Sequence, residues 1–259
     1  AYVPWELGFV NEPGARKPHA DGRYLGELGL TRWIYGGGGT GFAPEALRWG
    51  RMKVVQPDYT DDGWDLEGAQ EEAAFLARTY KAKRVDARPN RVYDLVADGS
   101  GWDVLHFCGH GEAEAATIEE AGLLLDVRTV DGEEKKDLVL ASTVATEAQL
   151  RAPDDPTGPG HIVVLNACQV GRAGETLAGT GGFARAFLEG GAGLFVAPLW
   201  SVGDELASTF CESLYARLVA GDTVAQATRA ARTAARDAGD ATWLSYAVYG
   251  EPTATIVKP

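Results

Sequence analysis

Continuously apolar segments alternate with helix-like segments along most of this 259-residue chain, and that alternation limits the folds open to it. The clearest apolar segments are HIVVLNAC at 161–168 and AGLFVAPLW at 192–200, and a segment with apolar residues at helical spacing follows each of them. A strand covered on both faces gives an unbroken apolar run, because neither set of its alternating side chains meets water. The chain is therefore predicted to form an α/β fold, a mostly parallel sheet with helices on both faces.

The predicted elements follow a Gly- and Pro-rich segment at residues 1–50. Strands are predicted at 52–59, 82–89, 102–110, 161–168, 192–200 and 243–256, a hairpin with a charged tip at 122–142, and helices at 66–80, 90–100, 146–154, 181–191, 204–221 and 223–239. Thr146 is expected to cap the helix that follows it. GGGGTG at 36–41 is predicted to be a turn, because no Lys-Ser/Thr pair follows it as in a phosphate-binding loop.

Residues 1–259 are interpreted as a single domain, and the missing initiator Met suggests that it was cut from a longer protein. The formal net charge of −13 argues against nucleic acid or an anionic membrane as a partner, because both attract a basic face. Three cysteines are too few and too uneven for a disulfide framework, which favours a reducing, cytoplasmic compartment. No segment has the length of a membrane span, and the first residues do not resemble a signal peptide.

Two of the predicted strands end in reactive residues. VLHFCGHG ends with His110 between Gly109 and Gly111, and IVVLNACQVG ends with Cys168. Only a hairpin and a short helix are predicted between them, so the strands can be neighbours whose carboxyl ends meet at one edge. An imidazole there can take the thiol proton and later protonate a leaving amine. The pattern predicts Cys168 as nucleophile and His110 as its base.

The backbone around these residues also suits acyl transfer. Glycines beside His110 let a substrate backbone come close, because they carry no Cβ. The amide N–H groups of Gly111 and Cys168 are predicted to face a developing oxyanion, and one such donor lowers a barrier by about 3 kcal/mol.

The segments LHFCGHG, VLNACQVG and APLWSVGDELASTF, in this order and spacing, resemble the CHAT family, caspase-like cysteine peptidases related to separase. The opening PWELG and the helix EEAAFL match the family's general layout, so the resemblance covers about residues 3–257. It implies a caspase-like three-layer sandwich and a dyad at His110 and Cys168. Asn166 and Val170 stand where caspases carry other residues, which argues against the Asp-specific caspase subgroup.

Three residues are candidates for the substrate pocket: Asp204, Trp200 and Asp126. Asp204 either caps the helix that it begins or forms a pocket wall, since acids in this stretch select basic side chains in separase-like relatives. This chain has Ser208 and no acid at the later position where such relatives carry one. Trp200 either covers the core or forms the wall of a groove in which the substrate pairs as an extra strand. Asp126, at the end of an apolar run, is the other acidic candidate.

No metal and no cofactor are expected. His106, Cys108 and His110 alternate and could share one face, but zinc needs about four convergent ligands. Cys108 and Cys211 are instead expected in the core, and His106 is expected to bond to backbone.

Three functions stay open at this point. The leading hypothesis is an endopeptidase with a thioester intermediate, acting on a protein or peptide. The resemblance implies control by a sensor or repeat module, in the same or another chain, and a role in bacterial antiviral defence or programmed death. The alternatives are a catalytically silent scaffold with the same fold, and an unrelated flavodoxin-like ligand domain, for which no phosphate-binding fingerprint is seen at a strand end.

Overall fold

The computed structural model describes residues 4–11, 22–34, 41–112, 121–151, 157–168, 179–200, 203–239 and 241–258. Within these ranges the strands are β1 (Phe9–Asn11), β2 (Gly22–Tyr24), β3 (Ala46–Arg48), β4 (Met52–Val55), β5 (Lys83–Val85), β6 (Val104–Glu112), β7 (Gly122–Val130), β8 (Glu133–Leu140), β9 (His161–Cys168), β10 (Ala192–Pro198), β11 (Tyr246–Gly250) and β12 (Thr255–Val257). The α-helices are α1 (Glu67–Tyr80), α2 (Pro89–Ala97), α3 (Ala141–Glu147), α4 (Gly179–Glu189), α5 (Asp204–Val219) and α6 (Val224–Ala238). None of the described helices combines the length and the apolar character that crossing a membrane would require.

The central sheet has the strand order β11-β10-β9-β6-β4-β5. All neighbours in it are parallel except β10 and β11, which run antiparallel. The far end of β6 pairs antiparallel with β7, and β7 pairs with β8, so a hairpin extends the sheet beside the end of β6. The mostly parallel sheet predicted from the sequence is confirmed.

Helices cover both faces of this sheet. On one face, Phe107, Leu165 and Phe195 pack against residues of α2, α3 and α4. On the other, Val104, Val164 and Val196 pack against α1, α5 and α6. Successive residues of one strand fall into different cores, as strand geometry requires, and the result is the expected three-layer sandwich.

Local sequence accounts for the ends of several elements. The Thr223 hydroxyl accepts from Gln226 N–H at 3.3 Å, and the Gln226 side chain accepts from Thr223 N–H, a capping box that begins α6. The hairpin turns at Asp131 and Gly132, with φ of 54° and 80°, the left-handed pair that favours Asp-Gly. The predicted hairpin with a charged tip is confirmed.

Two predicted elements are corrected. The helix expected from Thr146 is α3, which begins at Ala141 directly after β8, so Thr146 lies near its end and is not its cap. Burial of Ala141 and Val144 fixes this earlier start. The last predicted strand is two strands, because a turn containing Pro252 separates β11 from β12, and β12 pairs with β3 outside the main sheet. The predicted turn at 36–41 lies, except for Gly41, outside the described residues.

Candidate active site

The ends of β6 and β9 bring the two predicted catalytic positions together. The strands pair in parallel, in register from Val104 opposite Ile162 to His110 opposite Cys168. Neighbouring strands lie about 4.8 Å apart, and residues in register share a face of the sheet. The prediction that these strands are neighbours is confirmed for the backbone, whereas the Cys168 side chain lies outside the described part of the chain.

His110 is held in one orientation. Its side chain is buried at 6% exposure between the rings of Tyr59 and Trp64, whose centroids lie 5.3 and 5.4 Å from its own. Its Nε2 lies 2.7 Å from the carbonyl oxygen of Trp64. A carbonyl only accepts, so Nε2 carries the hydrogen, and in the neutral ring Nδ1 is then the basic nitrogen.

The backbone of His110 is also fixed. Its N–H donates to the Tyr59 hydroxyl at 3.0 Å, and that hydroxyl lies 3.3 Å from the carbonyl oxygen of Leu124 on β7. The segment 57–64, which follows β4, therefore contacts both the ring and the main chain of His110. Sequence reasoning missed this segment, because a main-chain carbonyl leaves no mark in a sequence.

Asp126 attaches the same segment to the hairpin. Its carboxylate accepts from Thr60 N–H at 2.8 Å, from the Thr60 hydroxyl at 3.1 Å and from Arg128 at 3.1 Å. Burial alone would raise the pKa of the Asp126 carboxyl, but these hydrogen bonds outweigh it and the pKa lies below its ordinary value. We call the Asp126–Thr60 contact the hairpin clasp.

A polar cavity of about 690 Å³ lies beyond the clasp, at the carboxyl ends of β4 and β5. Asp126 lines this cavity. Two ion pairs, Arg84–Asp58 and Arg128–Asp137, line it as well. Asp126 thus lines a cavity whose described lining does not include His110.

The other predicted site residues fall around the strand ends. Gly111 is buried and pairs with Leu123 of β7. Trp200 is half-buried and packs against the core on the α4 face, which fits the interpretation that it covers the core. Gly203 is the N-cap of α5, so Asp204 lies in the first helical turn and is not the cap; its side chain lies outside the described residues.

Behind the dyad lies a buried polar cluster that the sequence did not predict. His106 contacts Glu72 of α1 and the Tyr215 hydroxyl of α5, which corrects the expected bond to backbone. Asn166 of β9 joins the same cluster. An Asn within the apolar run VVLNAC and a Glu on the inward stripe of α1 were the available signals. Cys108 and Cys211 are buried, as predicted.

This arrangement of strand ends and helices defines the protein's class. The described fold resembles separase in the Saccharomyces cerevisiae separase–securin complex, with a TM-score of 0.51 and 13% identity over 83% of this chain and 13% of that one. It resembles the Arg-specific cysteine proteinase gingipain R equally well, with a TM-score of 0.51 and 13% identity over 80% of this chain and 47% of that one. The fold is that of caspase-like cysteine peptidases.

The sequence identifies the family more closely. Residues 38–251 match the sequence profile of the CHAT domain, and the chain belongs to that family. No curated protein sequence matches the chain. The chain spans less than half the length of each of the two structures that it resembles.

Proposed function

We propose that this domain is a cysteine endopeptidase that cleaves a protein or peptide through Cys168 and His110. The observation that carries the proposal is the pairing of these two residues at the ends of adjacent parallel strands. The Trp64 carbonyl supports the proposal, because it leaves Nδ1 of His110 as the basic nitrogen.

The reaction follows from these roles. His110 takes the thiol proton, and the thiolate attacks the scissile carbonyl carbon, whose π electrons move to the oxygen. The imidazolium then gives its proton to the leaving amine, the C–N bond breaks, and a thioester remains on Cys168. In the second half, His110 takes a proton from water as the oxygen attacks the thioester carbon. The C–S bond then breaks, the acid product leaves, and the imidazolium returns its proton to the Cys168 sulfur. No step requires a cofactor.

Further residues have proposed roles in binding. The amide N–H groups of Gly111 and Cys168 are proposed oxyanion donors. Asp204, Trp200 and Asp126 are proposed substrate contacts, with Asp204 favouring a basic or polar side chain before the scissile bond. Gingipain R is an Arg-specific proteinase, and for this chain a basic preference is part of the proposal.

The proposed setting is regulated cleavage in the cytoplasm, under control of a sensor or repeat module, in bacterial defence or cell death. The resemblance to a protease solved in complex with securin supports protein partners of this kind.

Labelling by an electrophilic peptide tests the proposal. Cys108 and Cys211 are each 1% exposed, so a native protein should take up label at Cys168 alone. We expect one label per chain by intact mass, none in Cys168→Ala, and unchanged labelling in Cys211→Ser. A scaffold with an inert thiol would label slowly, so the rate matters more than the end point.

His110→Ala supplies the control on mechanism. If His110 activates the thiol, its loss should slow labelling at neutral pH and reduce cleavage of a peptide library by about 1000-fold or more, while circular dichroism stays unchanged. Labelling and cleavage at the wild-type rate in His110→Ala would reject His110 as the base, whereas slow labelling and no cleavage by the unsubstituted chain would leave the scaffold function.

A further inference from the structure

The cluster behind the dyad contains a set of potential metal ligands. Glu72 is 3% exposed, His106 is fully buried, and Cys108 is 1% exposed. One carboxylate oxygen, one ring nitrogen and the sulfur all lie within 4.8 Å of one another. They come from two elements, α1 and β6, whose packing fixes their separation.

Two of these atoms have no hydrogen-bond partner in the described part of the chain. Glu72 Oε1 and His106 Nε2 are buried, and neither has a hydrogen-bond partner among the described residues. They lie 3.3 Å apart. A hydrogen bond between a charged imidazole and a carboxylate is shorter, about 2.7–2.9 Å, so this contact is long for an ion pair. Two ligands at tetrahedral angles, each about 2.0–2.1 Å from one metal ion, lie about 3.3 Å apart.

The other polar atoms of the cluster have partners, and the Cys108 thiol itself donates to the Ala69 carbonyl oxygen at 3.4 Å, a hydrogen bond that metal binding would replace. His106 Nδ1 lies 2.9 Å from the Tyr215 hydroxyl, which leaves Nε2 directed at Glu72. Glu72 Oε2 accepts from the Asn166 amide at 2.7 Å, and Asn166 Oδ1 accepts from the Tyr246 hydroxyl at 2.8 Å. Such contacts orient ligating side chains and are a regular part of metal sites.

We propose that Glu72 Oε1, His106 Nε2 and the Cys108 thiolate bind one zinc-like divalent cation. A nitrogen, an oxygen and a sulfur ligand suit zinc, and two anionic ligands neutralise its charge in a buried site. Binding displaces the thiol proton to solvent. In such a site the zinc–thiolate bond is about 2.3 Å long.

A small cavity lies beside Glu72, although its described lining does not include His106 or Cys108. This cavity of about 10 Å³ is lined by Glu72, Asn166, Ala69 and Gly109, among others. That volume suits about one water molecule, which can complete a four-coordinate site. The ion ties α1 to β6 directly behind Gly109 and His110, which gives it a structural role at the dyad.

This set differs from the one rejected on sequence grounds. His110 occupies the same face of β6 as His106 and Cys108, two residues further along. Its ring is held by the Trp64 carbonyl and does not join the cluster. Glu72 takes its place from a helix more than 30 residues earlier in the chain.

The metal content of untagged protein tests the proposal. Cys168→Ala is the parent variant, so that the proposed nucleophile cannot hold metal, and it is prepared from zinc-supplemented medium. We expect about one zinc per chain by elemental analysis, retained in Cys168→Ala/Cys211→Ser and lost when Glu72→Gln or Cys108→Ser is added to the parent. No stoichiometric metal in the parent, or zinc retained in both ligand variants, overturns the site and leaves a buried His–Glu pair.

Cobalt gives a second readout that does not depend on the folding of the ligand variants. The chain has three cysteines, so Cys168→Ala/Cys211→Ser keeps Cys108 as its sole thiol. A sulfur-to-cobalt charge-transfer band in that protein after refolding with Co²⁺ can come only from Cys108, and its absence overturns the proposal. Because neither readout uses cleavage, failure here is distinct from failure of the peptidase function.

Discussion

At the scale of single residues, the contacts of His110 fix the orientation of the imidazole that is proposed to act as the base. The Trp64 carbonyl selects the tautomer, and the Tyr59 hydroxyl holds the main chain of His110. Both of these contacts are hydrogen bonds to uncharged groups, so neither depends on a carboxylate. Orientation of this kind matters because a small misplacement of a catalytic group can cost a factor of up to about 100.

Tyr59→Phe tests this orientation. The substitution removes the hydroxyl that accepts from His110 N–H, and a buried donor left unpaired costs about 1–3 kcal/mol of unfolding free energy. We expect a loss of that size in chemical denaturation, together with a fall in the cleavage rate of about 10-fold or more.

Tyr93→Phe is the matched control. The Tyr93 hydroxyl likewise accepts from a backbone N–H, that of Leu140, at 3.0 Å, and this hydrogen bond does not involve His110. It should cost similar stability and leave cleavage unchanged. Equal effects of the two substitutions on cleavage would mean that Tyr59 acts through stability alone.

Single residues also mark the limit of what the sequence reveals. That His110 and Cys168 lie opposite each other could be predicted, because a reactive residue at the end of an apolar strand is distinctive. The Trp64 carbonyl could not, because every residue has a carbonyl. Glu72 and Asn166 broke otherwise apolar patterns, which signalled buried partners without saying which residues they contact.

At the scale of elements, the hairpin β7–β8 controls the segment that contacts His110. The hairpin clasp joins Asp126 to Thr60, and Asp61 N–H donates to the carbonyl of Val127 at 3.0 Å. A shift of the hairpin would therefore move Tyr59 and Trp64 with respect to His110.

Asp126→Asn and Asp137→Asn separate this effect from general loss of charge. Both residues lie in the hairpin and both accept from Arg128, but only Asp126 accepts from Thr60. We expect Asp126→Asn to lower kcat by about 10-fold and Asp137→Asn to leave it within about 2-fold. Both substitutions should change the unfolding free energy little, because the Arg128–Asp126 and Arg128–Asp137 ion pairs are partly exposed. Equal kcat values in the two variants would exclude the clasp as a positioning contact.

The elements were predictable to different degrees for physical reasons. β9 and β10 are buried on both faces, so their mostly apolar runs predicted strands of a mostly parallel sheet. The predicted start of α3 was wrong because its sequence, ASTVATE, has only a short apolar stripe. Its start is set instead by the end of β8. The docking of β7 against segment 57–64 is a tertiary contact that no local pattern encodes.

At the scale of the whole molecule, the buried His161 links folding to pH. The pKa of His161 lies below its ordinary value, chiefly because the ring is buried and also because Arg48 is nearby. The hydrogen bond to the Gly99 carbonyl and the charge of Asp103 act in the opposite direction but do not outweigh burial. Below about pH 6.5 the unfolded chain binds the proton more readily than the folded one, so stability is lost as pH falls. We expect the unfolding free energy to decline by up to about 1.4 kcal/mol per pH unit there, and His161→Gln to reduce that slope in urea titrations at several pH values. An unchanged slope in His161→Gln would assign the decline to other groups.

The amino-terminal residues are joined to the rest of the molecule by a buried charge cluster. Glu6 is fully buried; it pairs with Arg32, whose Nε donates to it at 2.9 Å, and lies 3.8 Å from Arg232 of α6. Burial lowers the pKa of Arg232 to about 10, and the Glu6 charge opposes that shift. Arg232 also donates to the carbonyls of Gly26 and Tyr246, so one guanidinium joins the amino-terminal segment, α6 and β11.

Glu6→Gln tests whether this cluster holds the molecule together. Removing the Glu6 charge withdraws an anionic partner from the fully buried Arg232 guanidinium, and breaking a buried ion pair costs about 3–5 kcal/mol. Glu189→Gln is the control, since Glu189 pairs with the exposed Arg185 one helical turn away and such pairs contribute less than about 1 kcal/mol. We expect chemical denaturation to show a large loss for Glu6→Gln and a small one for Glu189→Gln. The cluster contacts β11, at the opposite end of the central sheet order from β4 and β5, so the folded fraction of Glu6→Gln should still cleave at the wild-type rate. Small, equal losses of stability in both variants would show instead that apolar contacts hold the amino-terminal segment.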